Sequence, residues 1–261
     1  MLVQVIEPTL TGAACELDSD CVPVNGLPQR CCGRTVSGSR VLRCAPAQAI
    51  PFLQPSWTAL VEGAATFSPR GLLRTQGATT LIQSSGRNYL FDTGMMSDRL
   101  PLLKALEEQA GLYPEDIDYL ALSHGHLDHT ANMDLFSAAP TNFDALVEIG
   151  ADLLNNAFVS GGDVRPLGDP NLQLYQKPGH TTQDTVLVVR NVPAQGTLVV
   201  AGDIFLAKED GDPRNSSYDP AVFGASRRFV ACTGDWIVPG HGPAFQADAA
   251  WKQQFRCNEP F

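Results

Sequence analysis

Apolar positions along this chain switch repeatedly between strand-like and helix-like spacing, and from about residue 52 the segments are separated by Gly, Pro and Asn. Trp57 to Glu62, Thr79 to Gln83 and Tyr89 to Phe91 read as strands, the last two joined by a Ser-Ser-Gly-Arg-Asn turn. Leu102, Leu103, Leu106 and Ala110 then recur at helical spacing. The spacing predicts a helix from about Asp98 to Ala110, with Pro101 in its first turn and Gly111 as its stop. Tyr119 to Leu122 is a short buried strand, and Ala145 to Glu148, Leu172 to Tyr175, Thr185 to Arg190, Leu198 to Ala201 and Trp236 to Val238 follow as further strands. A helix over Pro220 to Ala231 carries Val222, Ser226, Phe229 and Val230 on one face. A last helix over Phe245 to Phe255 carries Phe245, Ala249 and Phe255 with Trp251. Strands alternating with helices place the chain in the α/β class.

Before residue 52 the texture differs. Segment 1–51 is poor in large apolar residues and holds Cys15, Cys21, Cys31, Cys32 and Cys44, whereas only Cys232 and Cys257 lie further on. A segment of that kind cannot build a core of its own, so disulfides are expected to hold it. The boundary falls between Ala49 and Pro55, which divides the chain into a Cys-rich segment, 1–51, and a main domain, 52–261. A zinc-thiolate site is the other reading of these cysteines, but Cys-x2-Cys pairs are missing and the adjacent Cys31 and Cys32 suit a disulfide framework better. The spacing, with Asp18 and Asp20 before the second cysteine, resembles part of the secreted four-disulfide-core pattern. Because the N-terminal cysteines are odd in number, the unpaired one is expected to bond Cys257, leaving Cys232 as a free buried thiol. Such oxidation implies an extracellular or secretory compartment.

A formal net charge of −10 repels phosphate backbones and anionic membrane surfaces. A nucleic-acid partner is thereby disfavoured, although Arg227 and Arg228 could begin a basic groove. No apolar run approaches the roughly 20 residues of a bilayer span, and the opening residues lack a signal peptide's charged start and long apolar centre. The chain therefore reads as a processed one. Nothing in the pattern specifies an oligomer.

All five histidines fall into a few short motifs: His124, His126 and His129 in Ser-His-Gly-His-Leu-Asp-His, His180 in Pro-Gly-His-Thr, and His241 in Val-Pro-Gly-His-Gly. Asp128 lies inside the first run and Asp203 in Ala-Gly-Asp-Ile. His124, Asp203 and His241 each stand just beyond a strand, as does Asp92 after Phe91. Loops that leave buried strands converge readily on one edge of a rigid scaffold. Seven nitrogen and oxygen donors exceed the four of a closed structural zinc, which points to two metals with open coordination positions. Zinc suits these donors best, with iron and manganese as the other candidates.

These motifs resemble the metallo-β-lactamase superfamily over about residues 57–245. The resemblance implies an αββα four-layer sandwich and a small-molecule substrate. It places His124, His126 and His180 on one metal and Asp128, His129 and His241 on the other, with Asp203 between them. It further implies that a metal-bound hydroxide is the nucleophile and that Asp128 orients or deprotonates that water. Asp92, in Phe-Asp-Thr-Gly, resembles the family's aspartate that positions the histidine loop. Asp203 stands where the best-known zinc β-lactamases carry cysteine, so the pattern is more like those of glyoxalase II, lactonases and tRNase Z. The expected activity is dinuclear-zinc hydrolysis of a small ester, thioester, lactone or lactam. A single-iron persulfide dioxygenase and a metal-dependent endoribonuclease are the alternative enzymes, and a protease-inhibitory module led by residues 1–51 is the non-enzymatic one. Tyr175, Tyr218, Asn215 and Arg214 could reach the site from loops but read as surface or packing residues.

Overall fold

A computed structural model of the chain describes residues 29–36, 39–46, 54–71, 73–143, 146–149, 152–155, 164–210 and 217–259, with backbone alone over 29–46 and 146–155. Strands β1 (Gln29–Val36) and β2 (Ser39–Pro46) form an antiparallel pair in which Cys31 is in register with Cys44. The expected disulfides among the N-terminal cysteines lie outside the described residues and side chains. Strand β3 (Ser56–Val61) is followed by a separate antiparallel pair, β4 (Ala64–Phe67) and β5 (Leu73–Gln76).

The main body is two sheets. Joining β3 in the first are β6 (Thr79–Ser84), β7 (Arg87–Phe91), β8 (Tyr119–Ala121), β9 (Thr141–Phe143), β10 (Leu146–Ile149) and β11 (Asp152–Asn155), in the order β11-β10-β9-β8-β7-β6-β3. The second comprises β12 (Val164–Pro166), β13 (Leu172–Gln176), β14 (Thr185–Val192), β15 (Gly196–Gly202), β16 (Trp236–Pro239) and β17 (Phe245–Gln246), adjacent in sequence order. Period-2 alternation sorts the apolar runs into layers. Leu187 and Val189 of β14, Leu198 and Val200 of β15, and Val238 of β16 meet Ile82, Tyr89, Phe91 and Ala121 of the first sheet. Their neighbours Val186, Val188, Val199, Ala201 and Ile237 point the other way, against Phe223, Val230 and Trp251. On the far side, Leu81, Leu90 and Leu120 pack on Leu102 and Leu106. The central strands of both sheets are covered on both faces, which is why they read as continuous apolar runs. Burying each Val, Leu, Ile or Phe among them contributes about 1.5–3 kcal/mol. The result is an αββα sandwich.

Helices supply the outer layers. Helix α1 (Arg99–Ala105) continues into a wider turn, Leu106–Ala110, and ends at Gly111 in the left-handed region (φ 65°). A short helix, α2 (Leu127–Thr130), carries the end of the first histidine run. Helix α3 (Pro220–Thr233) starts with Pro220 after Asp219, whose carboxylate accepts from the amides of Ala221 and Val222. Its buried stripe is Phe223, Ser226, Arg227 and Val230, rotated from the expected one because Phe229 turns to pack on Tyr175. Helix α4 is shorter than expected, Ala249–Gln253, capped by Asp248. Phe245 pairs instead with Ile237 at the sheet edge. Among the described residues no helix is long and apolar enough to cross a membrane.

The cysteine expectation is corrected in one respect. Cys257 bonds Cys232, not an N-terminal cysteine, so Cys232 is not a free thiol. The 25-residue separation brings the end of α3 against the tail of the chain, an arrangement that spacing alone did not single out.

Candidate metal centre

Strand direction is what gathers the polar loops. β7 and β8 run parallel, as do β15 and β16, while β13 and β15 both run antiparallel to β14. The C-terminal ends of β13, β15 and β16 therefore share one edge, and those of β7 and β8 share another. The residues just past these ends carry Asp92, the first histidine run, His180, Asp203 and His241, the position favoured for ligands in sheets of this kind.

Asp92 adopts φ 61°, uncommon outside Gly, and is buried. Its carboxylate accepts from the Ser123 amide (2.6 Å), the Ser123 hydroxyl (2.7 Å) and Nδ1 of His129 (2.8 Å). The Ser123 oxygen also lies 2.9 Å from Nδ1 of His124. One carboxylate thus orients His129 directly and His124 through a serine. On the opposite wall, Nδ1 of His241 lies 3.1 Å from the carbonyl oxygen of Gln76. In His129 and His241 these contacts place the ring proton on Nδ1 and leave Nε2 to face inward.

The inward nitrogens form two groups. Nδ1 of His126 is 2.9 Å from Nε2 of His124 and 3.0 Å from Nε2 of His180. In the second group Nε2 of His241 is 3.5 Å from Nε2 of His129 and 3.6 Å from Oδ2 of Asp128. Asp203 touches both. Its Oδ2 lies 3.2 Å from His241, 3.3 Å from His180 and 3.8 Å from His124, and its Oδ1 lies 3.2 Å from His129. Within each set, His124, His126, His180 and Asp203 or Asp128, His129 and His241, the donor atoms lie within 4.8 Å of one another. The fold brings together all seven donors expected from sequence.

These residues fit bound cations. Facing ring nitrogens stand 2.9–3.5 Å apart, and the buried Oδ1 of Asp203, 3.2 Å from Nε2 of His129, makes no well-formed hydrogen bond. A positive ion answers both, and imidazole with carboxylate is the donor set zinc takes. Gly240 makes the close approach possible, since a Cβ there would stand 2.0 Å from Oδ1 of Asp203.

Electrostatics separates the groups. Burial, reinforced by neighbouring histidines, pushes His124 down to about 2, and burial also lowers His126. Burial lowers His129 too, but Asp92 and Asp203 outweigh it and hold this imidazole well above its ordinary value. His241 is raised in the same way by Asp203, against the cost of burial. Asp203 in turn is opposed by burial but held well below the carboxylate range by His129 and His241.

Residue-level reading missed three contributors. Ser123 stood inside the quoted run, and its hydroxyl was the available signal. Gln76 acts through its backbone carbonyl and Gly240 through an absent side chain, so neither left one. Of the loop tyrosines, Tyr175 packs on Phe229 and donates to Gln173, whereas Tyr218 is exposed and its amide donates to the Gly179 carbonyl beside His180. Arg214 and Asn215 lie outside the described residues. Arg227 begins no basic groove, because it is buried against Asp210. Arg228 donates to the carbonyls of Phe255, Arg256 and Glu259.

Two donor groups joined by one carboxylate, at the edge of an αββα sandwich, define a metallohydrolase. Residues 72–241 match the profile of the metallo-beta-lactamase superfamily, and the chain belongs to that family. It is 35% identical to metallo-beta-lactamase domain-containing protein 1 of Xenopus laevis over 204 residues, 76% of this chain and 84% of that protein. Its fold is similar to that of the metallo-beta-lactamase FIM-1 from Pseudomonas aeruginosa, with a TM-score of 0.54 at 15% identity over 78% of this chain and 96% of that one. A quorum-quenching N-acyl homoserine lactone lactonase is also similar, with a TM-score of 0.51 at 17% identity over 72% of this chain and 91% of that one.

Proposed function

We propose that the protein is a dinuclear, zinc-dependent hydrolase of a small ester, thioester, lactone or lactam. The observation that carries the reading is the position of Asp203, within 3.8 Å of ring nitrogens from both histidine groups. His124, His126 and His180 would hold one ion, Asp128, His129 and His241 the other, with Asp203 shared. Divalent ions in such a site lower the pKa of water towards about 7 and polarise a carbonyl oxygen. The chain's own residues do the rest. Asp92 holds His129 with Nε2 inward and, through Ser123, fixes His124. Asp128, which is only half buried, orients the attacking water and accepts its proton on a carboxylate oxygen. The lactone named for the lactonase of similar fold supports a cyclic or linear acyl substrate, and the acidic net charge supports a small molecule over nucleic acid.

The same reading keeps residues 1–51 as a disulfide-stapled segment apart from 52–261 and places the protein in an extracellular or secretory compartment. Its support is the crowding of cysteines before residue 45 together with the Cys232–Cys257 bond. Elemental analysis paired with ester, thioester, lactone, β-lactam and phosphodiester substrates tests the proposal. Two zinc ions per chain with acyl hydrolysis are expected. One iron with thiol-dependent oxygen uptake, or cleavage confined to phosphodiesters, would overturn it. Non-reducing peptide mapping of secreted protein checks the segment, which is expected to show disulfides within 1–51.

A further inference from the structure

Helix α3 lies on the outer face of the second sheet and contributes no donor to the metal centre, yet adjacent residues on its buried stripe grip two of the loops that do. The Ser226 hydroxyl donates to the carbonyl of Pro178 (2.6 Å), two residues before His180. Phe223, one turn earlier, presses on the same loop, where a Cβ at Gly179 would stand 2.5 Å from the Phe223 Cα.

Arg227 grips the other loop. One guanidinium nitrogen donates to the Ile204 carbonyl (3.1 Å) and to Oδ2 of Asp210 (2.6 Å), and the second donates to Oδ1 of Asp210 (2.8 Å). The guanidinium stacks 4.0 Å from the Phe205 ring, and the residue is only 8% exposed. Asp210 reaches back to the Leu206 amide (3.2 Å), and the Leu206 carbonyl accepts from the His241 amide (2.8 Å). The Phe205 carbonyl likewise accepts from the Gly240 amide (2.8 Å). The turn that begins at Asp203 is therefore pinned at Ile204, Phe205 and Leu206, and it passes that constraint to the backbone of His241.

We infer that Arg227 and Ser226 are positioning residues that hold the Asp203–His241 and His180 loops in register across both donor groups. This inference rests on the metal-centre reading above. A buried ion pair is weak evidence for stability in itself, since apolar residues of similar size often replace one at little cost. Here the guanidinium also ties a backbone carbonyl next to the shared ligand, and a planar fork supplies that pair of contacts where lysine does not. Removing an outer partner of metal ligands typically costs 10–100-fold in metal affinity.

The test measures zinc affinity by chelator competition, and the cobalt(II) absorption spectrum, on the full chain. Thermal midpoints of the metal-free protein are recorded in parallel. Arg227→Met is expected to weaken both ions by roughly 10–100-fold. Arg227→Lys is expected to recover little of that loss. The double variant Arg227→Met with Asp210→Leu is expected to regain the thermal midpoint but not the affinity. Ser226→Ala, a milder change that guards against loss of fold, is expected to weaken the ion at His124, His126 and His180 several-fold and to alter its cobalt spectrum. Wild-type affinity in Arg227→Met or Ser226→Ala, or recovery of midpoint and affinity together in the double variant, would overturn the inference and leave the metal centre standing. A wild-type chain that takes up neither zinc nor cobalt would remove the metal-centre reading, and this inference with it.

Discussion

The two halves of the centre both present imidazoles around Asp203, the second adding Asp128, and they are supported very differently. Around His124, His126 and His180 the rings face one another; His126 is exposed, His180 half buried, and burial lowers His124 and His126. Around His129 and His241 the rings are buried against Asp92, Asp203 and the Gln76 carbonyl, and both imidazoles are raised. In the first half burial dominates at His124 and His126, whereas in the second carboxylates already polarise both rings. Imidazoles of one centre can thus be tuned apart by what stands behind them.

Removing the shared carboxylate should have the largest effect, because it erases the distinction. Asp203→Ala is expected to lower zinc content in both halves and turnover by on the order of 10²–10³-fold, the size of losing one preorganised electrostatic contact. Elemental analysis with steady-state rates checks this, and loss confined to one half would mean that Asp203 does not join them. Next in size, Asp92→Asn keeps a residue that tolerates positive φ but removes the charge behind His129. Affinity is expected to fall 10–100-fold, more in the His129 half than in the His124 half. Equal loss in both would show that the Ser123 link binds the halves as tightly as the direct contact.

Acidity should separate the halves less sharply. In the metal-free protein His129 and His241 keep protons above the ordinary imidazole value of about 6.5, so an ion entering there must displace them. Loading of that half is expected to weaken as pH falls through those raised values. His124, at about 2, is already neutral throughout that window. Zinc titrations with proton counting at about pH 8 and about pH 6 measure the contrast, and parallel weakening of the halves would contradict it. The smallest effect on the centre belongs to Cys257→Ser. Opening the Cys232–Cys257 bond is expected to cost about 2–4 kcal/mol of stability, read from denaturant melts. The relative affinity of the two halves should stay the same, and a selective loss at His180 would show that the end of α3 matters to the centre directly.

Much of the sandwich was legible from local spacing. The runs at Leu198 to Ala201 and Thr185 to Arg190 are long and apolar because their strands are covered on both faces, and Gly111 marked the end of α1 as its left-handed conformation requires. Phe245 misled because one apolar residue at a helical interval can equally pair at a sheet edge. Arg227 misled because adjacent arginines suggest a solvated face, and only the position of Asp210 buries one of them. Cys257 misled because pairing depends on which segments meet, and here the end of α3 lies against residue 257.

The residue order alone determined the donor types, their placement just past strand ends and the period of each element, since these depend on neighbours a few positions apart. Only the tertiary structure decided that Asp203 faces both groups, that Asp92 stands behind His129 and His124, and that Cys232 meets Cys257. Those outcomes follow from sheet order and strand direction, which are set by packing between residues far apart in the chain.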